Sequence, residues 1–319
     1  MTRPKPLFVP PDRDGVAASR VAVTPGPWAN LAEFLAQRLD ADDWPQRLAR
    51  GEVLDADGRP LAPDAPAVPH TVVWYWRALP PEPRVPFELE VLHQDAHLVV
   101  VDKPHFLAVA PTGRYLQETG LVRLKRLLNL PTLVPMHRLD RETAGVLLFT
   151  VNPATRNAYQ ALLRERRAHK VYEAVAPWRD TLALPLDCHH RLEEPPGDGF
   201  MQMQVVAGEP NAHTRIELIR RLPVAAVAAP APTPVPLAHY RLFPITGRRH
   251  QLRAQLNALG LPIVGDRIYP VLWPHPPADA LPDYSHPLQL LAREIAFDDP
   301  LTGQPRHFRS HRQLALVGA

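Results

Sequence analysis

The sequence predicts an α+β protein with a small N-terminal domain ahead of a larger one. Three observations carry this. The downstream part mixes a hairpin, single β-rich runs and two amphipathic helical stretches. Pro80–Pro86 (PPEPRVP) puts four prolines into seven residues, which neither a helix nor a central strand tolerates. No internal repeat is present. Three segments are expected: a flexible N-terminal arm over 1–25, a small domain over 26–84 and a main domain over 85–319.

In the first part, Trp28, Leu31, Leu35 and Leu39 share one helical face, and Pro27 suits a first turn, so a helix is expected from Pro27. A second short helix spans Trp44–Arg50 and ends at Gly51. Val53-Leu54, a turn at Asp55–Gly58 and Leu61 follow hairpin grammar. His70–Leu79 (HTVVWYWRAL) is rich in β-formers.

In the second part, Glu88–Leu92 and Leu98–Val101 flank a turn at Gln94-Asp95 and should pair. Ala144–Thr150 reads as a short buried strand. Asn152-Pro153 reads as an N-cap with proline at the first helical position, before a stripe of Ala154, Ala158 and Leu162. Val171–Val175 returns as a strand. Thr246 is expected to cap a helix with Leu252, Leu256 and Leu259 on its apolar face and Gly260 just past its end.

Composition narrows the function classes. The 319 residues include 40 prolines and 15 glycines, below the roughly 25–30% of disordered low-complexity chains. The single cysteine, Cys188, excludes an intramolecular disulfide and a Cys-rich zinc module, and suits a reducing cytosol. Met1–Gly15 lacks a signal-peptide core, and no run of about 18 apolar residues could span a bilayer. Pro223–Pro236 is apolar in letters, but its prolines forbid a helix and suggest an extended linker. A soluble, cytoplasmic protein is expected, with no membrane partner.

Net charge is only +3, yet basic residues cluster. Arg164, Arg166, Arg167 and Lys170 form one group, Arg248, Arg249 and Arg253 with His250 a second, and Arg114, Arg123, Lys125 and Arg126 a looser third. Each could be a solvated helix face; three together favour a phosphate-binding surface. Phosphate-cradling GxxxxGK[ST] and GxGxxG loops are absent, as are HExxH and CxxC. His189-His190 beside Cys188 suggests no metal site, because adjacent strand residues point apart. No metal and no cofactor are expected.

Met136–Thr150 (MHRLDRETAGVLLFT) concentrates the chemistry. Asp140 lies between Arg138 and Arg141 ahead of a buried strand. Spacing alone favours a structural ion pair. An aspartate held beside arginine also stays ionised, and so is available as nucleophile or base.

His137-Arg138-Leu139-Asp140-Arg141, with Thr143, Gly145 and the strand behind them, resembles the catalytic motif of the RluA-type family of RNA pseudouridine synthases. Three further blocks match in order: Val99–Pro104 (VVVDKP), Lys170-Val171-Tyr172, and Thr246–Arg253 (TGRRHQLR) continuing through Gly260, Pro262-Ile263, Gly265-Asp266 and Tyr269. Leu301-Thr302-Gly303 resembles a last turn. Ala144, Leu291 and Arg249 depart from the usual Ser, His and Thr, and remove no reactive group. More faintly, the first part, with Ala49–Val53 and Asp57–Pro60, resembles an S4-like RNA-binding domain.

The resemblance implies a fold and a reaction. The fold is a large mixed, mostly antiparallel sheet with helices on its faces and a central catalytic cleft. The enzyme is an isomerase: the C1′–N1 bond of a uridine in RNA breaks, the base turns, and C1′ joins C5, with no cofactor. By the same resemblance Asp140 is catalytic, as nucleophile or as base, Arg253 pairs with it, and Tyr172 stacks on the base and assists removal of the C5 proton. Leu252 walls the pocket and Arg138 fills the gap left by the flipped uridine. His137, Arg141, Lys170, Arg248 and Arg249 complete the expected substrate-binding set. The partner is 23S ribosomal RNA, transfer RNA or both, with no obligatory protein partner and a monomeric state. Two other readings remain at this point: a non-catalytic RNA-binding or ribosome-assembly protein on the same fold, and a nucleosidase, which would need a second, paired carboxylate.

Overall fold

A computed structural model describes residues 8–39, 43–79, 81–113, 115–195, 201–226, 234–274 and 280–318. Contacts divide the chain into two units, Met1–Glu82 with Val122–Pro131, and Pro83–Leu121 with Thr132–Ala319.

The first unit contains strand β1 (Ser19–Ala22), helices α1 (Leu31–Leu39) and α2 (Trp44–Ala49), and strands β2 (Val53–Leu54) and β3 (Val72–Tyr75). The strands form an antiparallel sheet in the order β1-β3-β2. The expected loose arm is therefore partly built into structure: Ser19–Ala22 pair with Val72–Tyr75, and the Trp76 indole donates to the Pro11 carbonyl at 3.0 Å. Helix α1 begins at Leu31, not Pro27. The Asn30 side chain accepts the Glu33 amide at 2.9 Å, and the Glu33 carboxylate accepts the Ala29 amide at 2.7 Å. That reciprocal cap satisfies end donors which the Trp28 periodicity ignores. Phe34, Leu35, Trp44, Leu48, Val53 and Val73 form the core. Lys125 joins this unit through Asp12 at 2.5 Å, and Arg126 donates to the Asp14 carbonyl at 2.7 Å.

The second unit is built on one large sheet. Its strands are β4 (Glu90–Gln94), β5 (Leu98–Lys103), β6 (Val134–Pro135), β7 (Ala144–Thr150), β8 (His169–Pro177), β9 (Leu186–Glu193), β10 (Gln204–Val206), β11 (Ala212–Ala226), β12 (Pro234–Pro244), β13 (Leu290–Asp298) and β14 (Pro305–Arg309). Helices are α3 (Gly120–Leu128, passing into the first unit at Val122), α4 (Arg156–Arg164) and α5 (Gln251–Ala258). The sheet runs β10-β9-β11-β12-β8-β13-β7-β5-β4, with β14 on β13 and β6 on β7. Only β7 and β13 pair in parallel, so the sheet is mixed and mostly antiparallel.

Two clusters anchor helices to this sheet. Leu252 and Leu256 of α5 pack with Ala174, Cys188, Ile216, Tyr240 and Leu242. Tyr159 and Leu162 of α4 pack with Leu98, Val100, Val146, Leu148 and Ile295. Truncating such a leucine to alanine costs about 2–5 kcal/mol. Helix α4 starts at Arg156, not Pro153, because the Asn152 side chain closes a turn onto the Ala154 amide at 2.9 Å. Its buried face is consequently Tyr159 and Leu162, while Ala154 is exposed.

Strand β7 is buried along its whole length, which its AGVLLFT sequence permits on both faces. At its start Gly145 takes φ +112°, and a Cβ there would lie 2.1 Å from the Ala292 carbonyl oxygen of β13. Only glycine allows this approach. The prolines near 223–236 do not make a free linker throughout. β11 extends to Ala226 and β12 starts at Pro234, with a register shift between Leu222 and Ala225 beside Pro223. Residues 227–233 lie outside the described residues. No described helix is long and apolar enough to cross a membrane.

Candidate active site

A cleft of about 800 Å³ opens in the second unit. Its walls come from the loop after β5, the 137–143 loop between β6 and β7, the start of β8, the loop after β12 and the first turn of α5.

Asp140 sits in a turn closed by the Thr143 amide on its own carbonyl at 3.1 Å. Its flanking arginines do not hold it, contrary to what their spacing suggests. Arg141 turns away to the Glu142 carboxylate and the Tyr115 hydroxyl, and Arg138 is exposed on the rim. The partner is Arg253 on α5, whose Nη1 donates to Asp140 Oδ2 at 2.9 Å. Burial alone would raise the Asp140 pKa. The Arg253 charge, with smaller help from His250 and Lys103, outweighs it and keeps the carboxyl below the usual range. Asp140 is therefore ionised at neutral pH, and its side chain remains 29% exposed to the cleft.

Arg253 is itself gripped from behind. Its Nε and Nη2 donate to the two oxygens of Asp266 at 2.8 and 2.6 Å. Asp266 Oδ1 also accepts the Ile268 and Tyr269 amides at 2.8 and 3.1 Å. Gly265 makes that loop possible: its φ is +77°, and a Cβ would meet the Pro287 carbonyl oxygen at 2.5 Å. Burial acts to lower the Arg253 pKa, and the two carboxylates more than reverse this.

Thr246 does not cap α5. His250, at φ +49°, is the residue before the helix. Thr246 instead donates to Gln251 Oε1 at 2.7 Å and accepts the His213 amide at 2.8 Å. Gln251 returns its amide to the His213 carbonyl and Thr214 hydroxyl, at 3.1 and 2.9 Å. This buried network ties the helix start to β11. His250 Nε2 lies 3.8 Å from Asp140 Oδ1.

Tyr172, on β8 between Leu242 and Ala292, lines the cleft with Leu252. Burial, and secondarily the Asp140 charge, pushes its hydroxyl pKa above the ordinary value. Leu252 is buried and forms the apolar wall. The remaining expected residues divide. Lys170 lines the cleft but spends its ammonium on the Thr246 carbonyl at 3.3 Å, and burial lowers its pKa. His137 is turned into the fold: its Nε2 accepts the Leu148 amide at 3.2 Å, and burial, then the Lys170 charge, lowers its pKa to about 4. Arg249 is paired with Glu194 at 3.1 Å. Arg248 donates to the Asn211 carbonyl at 3.2 Å. Among the described residues, Arg138, Arg166 and Arg248 have no carboxylate within ion-pair distance, so the rim carries three uncompensated guanidiniums around Asp140.

Sequence reasoning gave no role to Asp266, Gln251 or Lys103. The Gly265-Asp266 pair and the Gln within the TGRRHQLR block are visible in the sequence, but Gln251 bonds residues 37 and 38 positions away and the Asp266–Arg253 pairing depends on loop closure. Arg114 falls outside the described residues. His189 does have a histidine partner: His213, across the strands, with Nε2 atoms 2.6 Å apart. Among the described residues no three metal-ligating side chains gather.

The residues of this cleft fall within a broader likeness. A model of the RNA pseudouridylate synthase family matches residues 97–258. An RNA pseudouridine synthase of Synechocystis is 31% identical over 244 residues, covering 75% of this chain and 79% of that protein. The dual-specificity RNA pseudouridine synthase RluA of Haemophilus influenzae is 31% identical over 229 residues, covering 70% and 92%. In fold, the chain is similar to human RNA pseudouridylate synthase domain containing 1, with TM-score 0.55 at 21% identity, over 72% of this chain and 86% of that one.

Proposed function

The chain belongs to the RNA pseudouridylate synthase family and isomerises uridine to pseudouridine in RNA, and from that premise we propose that Asp140 is its catalytic carboxylate and structured ribosomal or transfer RNA its substrate. One observation supports the assignment most. Asp140 is the carboxylate in the cleft that is at once ionised, held by a buried arginine through one oxygen, Oδ2, and partly exposed.

The chemistry follows from the charges. The uridine leaves its stack and enters the cleft, at a cost of a few kcal/mol. Tyr172 and Leu252 offset this, since stacking contributes about 1–3 kcal/mol per base. Arg166 and Arg248 on the rim contact phosphates, and Arg138 fills the vacated stack. Asp140, as nucleophile or as base, acts through its ionised oxygen while the C1′–N1 bond breaks. After the base turns and C1′–C5 forms, the neutral Tyr172 hydroxyl takes up the C5 proton as it hands its own to solvent, and N1, which left C1′ with the bonding pair, gains a proton, so the product has the atoms of the uridine. The first unit adds RNA contacts as an S4-like domain. The protein acts as a monomer in the cytoplasm, without an obligatory protein partner.

The test pairs two measurements. Pseudouridines are mapped chemically in ribosomal and transfer RNA from a strain lacking the gene, and the purified protein is incubated with those RNAs. Sites lost in the strain should be restored by the protein alone. If no ribosomal or transfer RNA site changes in either experiment, the substrate assignment is wrong.

A further inference from the structure

Arg253 can offer a carboxylate either one N–H or two. A free guanidinium beside a carboxylate favours the two-pronged arrangement, which engages both carboxylate oxygens. Here the Nε–Nη2 fork is already taken. Asp266 holds Nε and Nη2 at 2.8 and 2.6 Å, and only Nη1 reaches Asp140, at 2.9 Å on Oδ2. The asymmetry continues in exposure: the Asp266 side chain is 0% exposed and that of Asp140 29%. Asp266 cannot drift toward the cleft, because the Ile268 and Tyr269 amides fix its Oδ1 and Gly265 fixes its loop.

Building on the assigned isomerase activity, we propose that Asp266 is a positioning residue: by holding Nε and Nη2 it fixes the orientation of the Arg253 guanidinium, so that Nη1 alone meets Asp140, on Oδ2, and Oδ1 is left without a hydrogen bond to that arginine. His250 Nε2 lies 3.8 Å from that Oδ1. Asp140 is thus bordered by Arg253 and His250 from α5 and the residue before it. Lys103 at the end of β5 and Tyr172 on β8 complete its electrostatic surroundings. Asp266 leaves the trio of Asp140, Arg253 and Asp266 with one net negative charge, and that charge opposes any further lowering of the Asp140 pKa.

Asp266→Asn tests this directly. Asn retains an acceptor for the two loop amides but releases part of the fork and removes the charge. Arg253 can then close on both oxygens of Asp140. We expect kcat to fall about tenfold to hundredfold, the scale of a misplaced reacting group, with KM for RNA changed less than threefold. The acidic limb of the rate profile should move to lower pH, because one opposing charge is lost and one hydrogen bond gained at Asp140. In an Arg253→Ala background the same substitution should cost nothing more in single-turnover rate. A kcat within twofold of wild type, an acidic limb that stays or rises, or additive losses in the double variant would each overturn the proposal. Should Asp266→Asn fail to fold, Asp266→Glu keeps the charge but displaces the fork; there, lowered kcat at unchanged RNA affinity supports the proposal and wild-type kcat overturns it. Wild-type turnover in the same assay separates the two readings, since an inactive wild type removes the isomerase activity itself.

Discussion

The Lys103 ammonium lies 3.1 Å from the Arg141 carbonyl oxygen, so a buried cation grips the chain one residue beyond Asp140. The same Nζ donates to the Pro104 and Leu107 carbonyls, both at 2.9 Å. Burial pushes its pKa down to about 7, against the opposing pull of Glu142 and Asp140. Lys103→Met keeps the volume and strands three carbonyls, so a loss of about 1–3 kcal/mol is expected at neutral pH. The pH dependence has a definite sign. Between about pH 7 and the unfolded lysine value near 10.4, the unfolded chain holds a proton that the native site has released. Native stability from this group therefore rises with pH across that window. Melting curves of both proteins at pH 6.5 and 9.5 should show the wild-type advantage growing; parallel curves would remove the buried ammonium from the account.

Asp140→Asn changes charge and almost nothing else. Pseudouridine formation should be lost while melting temperature and RNA affinity stay near wild type. Activity within tenfold of the parent would exclude Asp140 as the catalytic group. Arg253→Ala removes the charge that outweighs burial at Asp140, so the Asp140 pKa should rise. Activity then falls strongly, and the acidic limb of the kcat/KM profile shifts to higher pH. An unmoved limb would mean that the contact at 2.9 Å does not govern ionisation.

Much of this site can be read along the chain, because its motif residues come in contiguous blocks. Asp140, Tyr172, Leu252 and Arg253 each belong to such a block, and the structure brings all four to one cleft. What cannot be read is which arginine faces Asp140. Arg138 and Arg141 are its neighbours in sequence, yet the turn sends one to the rim and the other to Glu142. The contact comes from a residue 113 positions away. Asp266 is only 13 positions from Arg253, yet their pairing depends on loop closure, as that of His189 and His213 depends on strand register, and neither shows in the sequence. The late start of α1 is a different case. The Asn30-x-x-Glu33 pair that caps it is local in sequence, but the apolar periodicity beginning at Trp28 points to an earlier start. The membership of Val122–Pro131 in the first unit has no local signal at all.

The aspartate of the VDKP block has a structural task. Asp102 is fully buried and accepts the Ser310 hydroxyl at 2.8 Å and the His311 amide at 2.7 Å, pinning the C-terminal segment against β5. Asp102→Ala should cost about 3–5 kcal/mol, as expected when a buried charge network loses a member. Removing residues 310–319 deletes the same contacts from the other side. Urea unfolding of each variant and of the combination should give strongly non-additive losses. Additive losses would mean that Asp102 stabilises the fold through some other partner.

Tyr172 separates stacking from proton transfer. Its hydroxyl has no hydrogen-bond partner among the described residues, and its raised pKa keeps it neutral well above physiological pH. A phenol in that state can pass a proton along but is a poor base by itself. Tyr172→Phe keeps the ring and loses the hydroxyl. It should bind RNA as wild type does, because the face of the ring contributes the roughly 1–3 kcal/mol of stacking. Product release as free pseudouridine should slow by about 10²–10⁴-fold, the usual worth of a lost acid–base group. Tyr172→Ala should lose both terms and weaken RNA binding as well. If the residue serves only to fill space between Leu242 and Leu252, Phe will be silent and Ala will lower the melting temperature together with activity. Single-turnover rates and thermal melts on the two variants therefore decide the matter. A fully active Phe variant beside a destabilised Ala variant would leave the C5 proton to another group, with His250 Nε2 standing 3.8 Å from Asp140 Oδ1.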